Sequence, residues 1–246
     1  MEIKEEERID DLQIGNLKLI QNKEWFCFGI DSILLSNFAK EIKKDERIID
    51  LGCGNGILEL LFAKKSKARE IIGIEVQEDV YQLAKRNVEM NHLQKKIKMI
   101  HANVKNLNDT FSSDSFDAVI SNPPYMKKDT GKMNEKPQKL IARHEIEANL
   151  DDFIKISFYL LKDKRPLYMI YRTERLTDMM EILRKYKIEP KEIQFIHAKM
   201  GNPPELFLIK AVKNGKPYLK VKKPLIIYQE NGDYTEEILK IYGKVK

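Results

Sequence analysis

Cysteine is nearly absent. Two residues, Cys27 and Cys53, make neither a disulfide framework nor a four-ligand zinc set. No apolar run reaches the roughly 18–20 residues needed to cross a bilayer, so a membrane span is not expected. The opening Met1-Glu-Ile-Lys-Glu-Glu-Glu-Arg8 is too acidic for a secretory leader, and the cytoplasm is the expected compartment. There is no internal repeat, no low-complexity stretch and no Gly/Ser linker. The expected organisation is therefore one domain over 1–246, with an N-terminal hairpin and helix (1–45), a core (46–212) and a C-terminal appendix (213–246).

Charge is abundant and unevenly placed. The 246 residues carry a net +6. Residues 1–11 are mostly acidic. Residues 126–143 hold Lys127, Lys128, Lys132, Lys136, Lys139 and Arg143, and residues 210–224 hold six lysines without an acid. Two basic segments suit a polyanion; a generally lysine-rich surface is the alternative.

Apolar patterning predicts strands at Arg47–Leu51, Ile71–Glu75, Ile97–Ile100, Phe116–Ser121, Leu167–Tyr171, Ile193–Ile196 and Leu206–Val212. Helices are expected at Ile57–Lys65, Asp79–Asn91, Leu150–Leu161 and Arg175–Tyr186. The alternation predicts an α/β fold: a doubly wound, mostly parallel, seven-stranded Rossmann-like sheet. Before it, a hairpin pairing 17–20 with 26–28 leads to a helix at Ile33–Ala39 capped by Asp31. After it, a strand at Leu225–Tyr228 and a helix opened by an Asp233–Glu236 capping box form the appendix.

Two motifs carry chemistry. Asp50-Leu-Gly52-Cys-Gly54-Asn-Gly56 joins a strand to a helix. Its glycines permit positive φ and close ligand approach. The spacing departs from the dinucleotide G-x-G-x-x-G, and Asp50 stands where a pyrophosphate would be repelled. Glu75 ends the next strand, where a carboxylate can accept ribose hydroxyls, and Asn103 follows the third strand, beside a possible adenine. These residues suit a nucleoside with a cationic group and no phosphate, namely S-adenosylmethionine. A plain tight turn, and for Asn103 a loop cap, are the structural alternatives.

Asn122-Pro123-Pro124-Tyr125 closes the fourth strand. The prolines remove donors, leaving the Asn122 side-chain oxygen and the Pro123 carbonyl as a pair of acceptors for an NH2 group. Tyr125 offers a face for stacking a planar base. Catalysis is then chiefly alignment of the amine with the activated methyl. A second Asn-Pro-Pro at Asn202 precedes Glu205 and reads as structural. Neither cysteine reads as a nucleophile, and no metal is expected.

The glycine loop, the acid and Asn-Pro-Pro-Tyr resemble the Rossmann-like amino-methyltransferases. Phe26-Cys-Phe-Gly-Ile-Asp-Ser-Ile-Leu-Leu35, Ala142-Arg-His-Glu145, Lys216-Pro-Tyr-Leu-Lys-Val221 and Tyr234-Thr-Glu-Glu-Ile-Leu239 resemble, more narrowly, the tRNA (adenine-N6)-methyltransferase family acting on adenosine 37 of a valine tRNA. The resemblance implies cofactor contacts from Asp50, Gly52, Gly54, Gly56, Glu75, Asn103 and Asn122, and target-amine contacts from Asn122, Pro123 and Tyr125. It also implies RNA contacts from the two basic segments, with Lys127, Lys128, Arg143 and His144 as candidates. Glutamine methylation of release factors fits the same tetrapeptide, but such enzymes carry a helical domain for which fewer than 50 residues before Asp50 leave little room. Guanine-amino methylation of ribosomal RNA, a DNA adenine methyltransferase and an inactive RNA-binding core are the further alternatives.

Overall fold

The computed structural model describes residues 2–25, 29–123 and 148–245. A hairpin of β1 (Glu7–Asp11) and β2 (Lys18–Asn22) comes first, paired antiparallel from Glu7↔Asn22 to Asp11↔Lys18. The described partner of 18–22 thus lies upstream, in a segment whose acids resemble a solvated tail, while residues 26–28 of the expected hairpin lie outside the described residues. Its turn works because Asn16 and Gly15 accept positive φ while Leu12, Ile14 and Leu17 bury beside it. Helix α1 (Ile30–Phe38) starts at Gly29, so Asp31 stands in the first helical turn and is not the cap.

The remaining elements are β3 (Arg47–Leu51), α2 (Ile57–Lys65), β4 (Glu70–Glu75), α3 (Glu78–Met90), β5 (Ile97–His101) and β6 (Ala118–Ser121). They continue with α4 (Leu150–Leu160), β7 (Pro166–Arg172), α5 (Leu176–Lys185), β8 (Ile188–His197), β9 (Leu206–Lys213), β10 (Lys220–Val221), β11 (Leu225–Ile226) and α6 (Glu236–Ile241).

Among the described residues the main sheet runs β10-β8-β9-β7-β6-β3-β4-β5, with β11 also paired to β8. The seven expected strands are its body, and two-residue strands from the appendix extend its edge. β3 to β7 pair in parallel, and β9 lies antiparallel between β7 and β8. β8 begins five residues before its expected start, because the ladder continues past Pro190 through a register shift there. α6 is capped by Thr235, whose hydroxyl accepts from the Ile238 N–H at 3.4 Å, instead of by the expected Asp233 box.

The central strands are apolar on both faces because both are covered. Ile48, Ile71, Ile120 and Ile170 pack toward α1 and α2, whereas Ile49, Ile72, Val119 and Met169 pack toward α4 and α5. Asn87 of α3 ties the hairpin to this body. Its side-chain oxygen accepts from the Ile20 N–H at 2.6 Å, and its amide donates to the carbonyls of Ile20 (3.0 Å) and Asn55 (2.9 Å). Arg86 grips Glu7 with both terminal nitrogens and holds that carboxyl below its usual range. Among the described residues no helix is long and apolar enough to cross a membrane.

The order of the parallel strands decides where a ligand fits. From β3 the chain moves outward through β4 and β5, then returns to β6 on the other side of β3. The strand order therefore reverses between β3 and β6, and open α/β sheets bind ligands at the carboxyl ends of such a pair.

Candidate active site

Both sequence motifs stand at that reversal. Asp50 is opposite Ile120 in the β3–β6 ladder, so the glycine loop and Asn122-Pro123 leave neighbouring strand tips. Ser121, fully buried, fastens the tips by donating its hydroxyl to the Leu51 carbonyl at 2.7 Å. The described chain then stops at Pro123 and resumes at Ala148. α4 follows, opened by an Asn149–Asp152 capping box. Its Phe153 ring lies where a β-carbon on Gly52 would touch it, at 3.5 Å. Tyr125, Lys127, Lys128, Arg143 and His144 lie outside the described residues, as do Phe26, Cys27 and Phe28.

Gly52, Gly54 and Gly56 have φ of +75°, +56° and +83°, a region that disfavours any side chain. The loop is anchored where Gly52 and Cys53 both donate to the Ile74 carbonyl, at 3.0 and 2.9 Å. A β-carbon placed on Gly54 would meet nothing within 4 Å. That face of the turn is open, as a backbone cradle for a ligand requires.

Glu75 is buried and works on the loop itself. One carboxylate oxygen accepts from the Gly54 N–H at 3.0 Å; the other accepts from Val76 and Gln77, both at 2.9 Å. An ionised carboxylate has about four acceptor positions. Three are filled by backbone, leaving about one for a ribose hydroxyl instead of the two that the sequence suggests.

Asp50 is equally deep, 2% exposed, but both its oxygens are without a protein donor. Beside it is a residue that the sequence reading passed over. Glu59, on the first turn of α2, is 0% exposed and likewise finds no donor. Its carboxyl sits against Gly73, the β4 residue in register with Asp50; a β-carbon there would collide with the Glu59 oxygen. The two carboxyls thus stand in one dry pocket without an N–H or hydroxyl donor for either. Burial, reinforced by the nearby charge of Glu75, raises Asp50 to about 8, and burial pushes Glu59 well above the carboxylate range. The sequence did hold a signal, since Glu59 interrupts Ile57-Leu-Glu-Leu-Leu-Phe62, a helix apolar on every side.

Cys53 is buried and its thiol is pushed well up by burial, which fits a packing role. Asn103 caps the 3-10 turn Val104–Asp109 by accepting from the Lys105 N–H at 2.9 Å, the loop-cap role. The basic segment 210–224 divides. Lys213 is buried against Asp114 (2.8 Å), Lys210 pairs with Glu41 and Glu192, and Lys222 pairs with Glu192 (3.3 Å). Lys216, Lys220 and Lys223 are exposed and make no ion pair with a described residue.

The profile of the methyltransferase small domain family matches residues 29–145, a span that contains the glycine loop, Glu75 and Asn122. Curated relatives named tRNA1(Val) (adenine(37)-N6)-methyltransferase include one from Flavobacterium johnsoniae, 23% identical over 89% of this chain and 85% of its own. Another, from Pasteurella multocida, is 26% identical over 86% of each chain. Among solved structures, a predicted O-methyltransferase from Agrobacterium tumefaciens superposes with a TM-score of 0.70 at 20% identity, covering 87% of this chain and 96% of its own. Geranyl diphosphate C-methyltransferase of Streptomyces coelicolor, solved with S-adenosyl-L-homocysteine, gives 0.54 at 11% identity over 74% of each chain. These structures share the fold. Residues 29–145 thus match the methyltransferase small domain family, set in a Rossmann-like sheet within a chain that resembles the tRNA1(Val) (adenine37-N6)-methyltransferases.

Proposed function

We propose that this chain is an S-adenosylmethionine-dependent methyltransferase acting on N6 of an adenosine in tRNA, with position 37 of a valine tRNA as the target its relatives' names point to. The observation that carries the reading is the convergence, on the adjacent tips of β3 and β6, of an unpartnered buried carboxyl, an open glycine turn and Asn122-Pro123. We read the chain as one working unit of hairpin, core and appendix, acting in the cytoplasm.

The residues present fit the cofactor. The Asp50 oxygens await a donor, and Gly54 leaves room at the backbone. S-adenosylmethionine, when bound, supplies an electrophilic methyl on a cationic sulfonium. Asp50 and the glycine loop hold its charged end, Glu75 takes a ribose hydroxyl at its free acceptor position, and Asn103 borders the base. Asn122 and Pro123 accept the two N–H bonds of the adenine amine. Holding both hydrogens draws the nitrogen toward a tetrahedral shape and frees its lone pair, while the rigid strand tip fixes the line of attack. Tyr125 stacks the base. An unpaired loop base costs little to extrude.

Methyl transfer from labelled cofactor to bulk tRNA of cells lacking this protein should yield N6-methyladenosine. Asn122→Ala should lower kcat at least about 100-fold, a loss larger than any change in cofactor affinity. Label absent from tRNA would sink the substrate, and near-normal turnover by Asn122→Ala would sink the amine-acceptor role.

A further inference from the structure

The appendix carries a residue that packing does not explain. Tyr218 is 89% exposed, and its φ is +93°. A bulky side chain there is a true backbone outlier, and such strain persists where the surroundings over-determine it and a role favours it. The surroundings are visible. Lys191 donates to the carbonyls of Lys216 (2.9 Å) and Pro217 (3.1 Å), pinning the loop from below. β10 then pins it from the other side through Lys220↔Glu192. The ring is thus held out from a fixed base.

Its neighbours are basic. Lys216 and Lys220 flank it in the chain, and Lys223 follows, all exposed. The acids beneath are engaged: Glu192 by Lys210 and Lys222, Glu189 by Arg184 at 3.5 Å. An aromatic face among free ammonium groups is the arrangement that binds a nucleobase together with its phosphates.

The ladder registers locate this ring relative to the active site. Asp50 is opposite Ile120, Ile120 opposite Tyr168, Tyr168 opposite Lys210, Lys210 opposite Glu192, and Glu192 opposite Lys220. Five strand spacings separate Lys220 from Asp50, roughly 24 Å across the sheet. The distance suits a large folded RNA.

We propose that Tyr218, with Lys216 and Lys220, is a second RNA-binding site, where an unpaired base of the tRNA substrate stacks on the tyrosine while the lysines take its phosphates. This rests on the RNA reading above, and the strain gives it a distinctive test. Glycine is at ease at φ +93°, so Tyr218→Gly should keep or raise the thermal midpoint while weakening tRNA binding. A structural tyrosine would behave in the opposite way.

The experiment measures tRNA affinity by filter binding, tRNA KM, cofactor affinity and thermal midpoint for wild type, Tyr218→Gly, Tyr218→Trp and Lys216→Ala/Lys220→Ala. Support would be a loss of about tenfold in tRNA affinity for Tyr218→Gly, recovery in Tyr218→Trp, and a shallower salt dependence in the lysine variant. Cofactor affinity should not move. Wild-type tRNA affinity in Tyr218→Gly, while wild type methylates tRNA, would overturn the second site and leave the activity standing. So would loss of binding to phosphatidylglycerol vesicles in that variant with tRNA binding retained. Wild type that neither binds nor methylates tRNA would instead overturn the RNA reading itself.

Discussion

The carboxyl ends of β3 and β4 lie side by side at equal depth, yet their acids live in opposite circumstances. Glu75 accepts from three backbone N–H groups and braces the glycine loop. Asp50 receives none, and a second buried carboxyl without a donor, Glu59, stands beside it. Burial alone therefore does not assign an acid its role; the number of donors aimed at it does. The acid held by the backbone shapes the cradle, and the one without such donors remains available to the N–H or O–H groups of a ligand.

Removing the brace should have the largest effect on cofactor binding. Glu75→Ala strands three donors and frees a loop that holds positive φ only under constraint. Unfolding stability should fall by about 3 kcal/mol, and cofactor affinity by calorimetry at least about 100-fold. If affinity held while stability fell, the brace would be structural alone.

The Asp50–Glu59 pair should show itself in pH dependence. Its raised pKa means that the folded protein keeps a proton that the unfolded chain releases. The pair's stabilisation is therefore full below about pH 4 and is lost as pH rises through about 8. Glu59→Gln installs a permanent donor to Asp50, so denaturant titrations of that variant should lack this decline, a difference of roughly 2–5 kcal/mol across the window. Parallel wild-type and variant curves would show that this pair is not the source of the decline.

The smallest and most diagnostic contrast is between two glycines. Gly54→Ala meets no atom, so it should cost only about 1 kcal/mol of backbone strain, yet it puts a methyl group in the open cradle and should weaken cofactor binding measurably. Gly73→Ala collides with the Glu59 carboxyl and the Met99 methyl. It should destabilise by about 1–3 kcal/mol, with that cost reduced in the Glu59→Ala background. Equal effects on binding and stability at both positions would erase the distinction between cradle and support.

Local chemistry made much of this protein legible from its residues. Seven strands, four core helices, the glycine turn, Glu75 at a strand end and Asn122-Pro123 after the fourth strand depend on periodicity and turn-forming residues, which act over a few positions. What escaped depends on partners distant in sequence. Glu7–Asp11 is a strand because 18–22 lies opposite it, Asn87 is a clamp because α3 packs against that hairpin, and α6 begins at Thr235 because that hydroxyl, and not Asp233, meets the first free N–H. Glu59 reads as one polar residue on a helix until packing sets it against Asp50. The residue types were fixed by the sequence, but which donors each buried carboxyl received, and how far Tyr218 stands from the glycine loop, were decided only when the sheet assembled, because hydrogen-bond partners and strand register are properties of the packed chain.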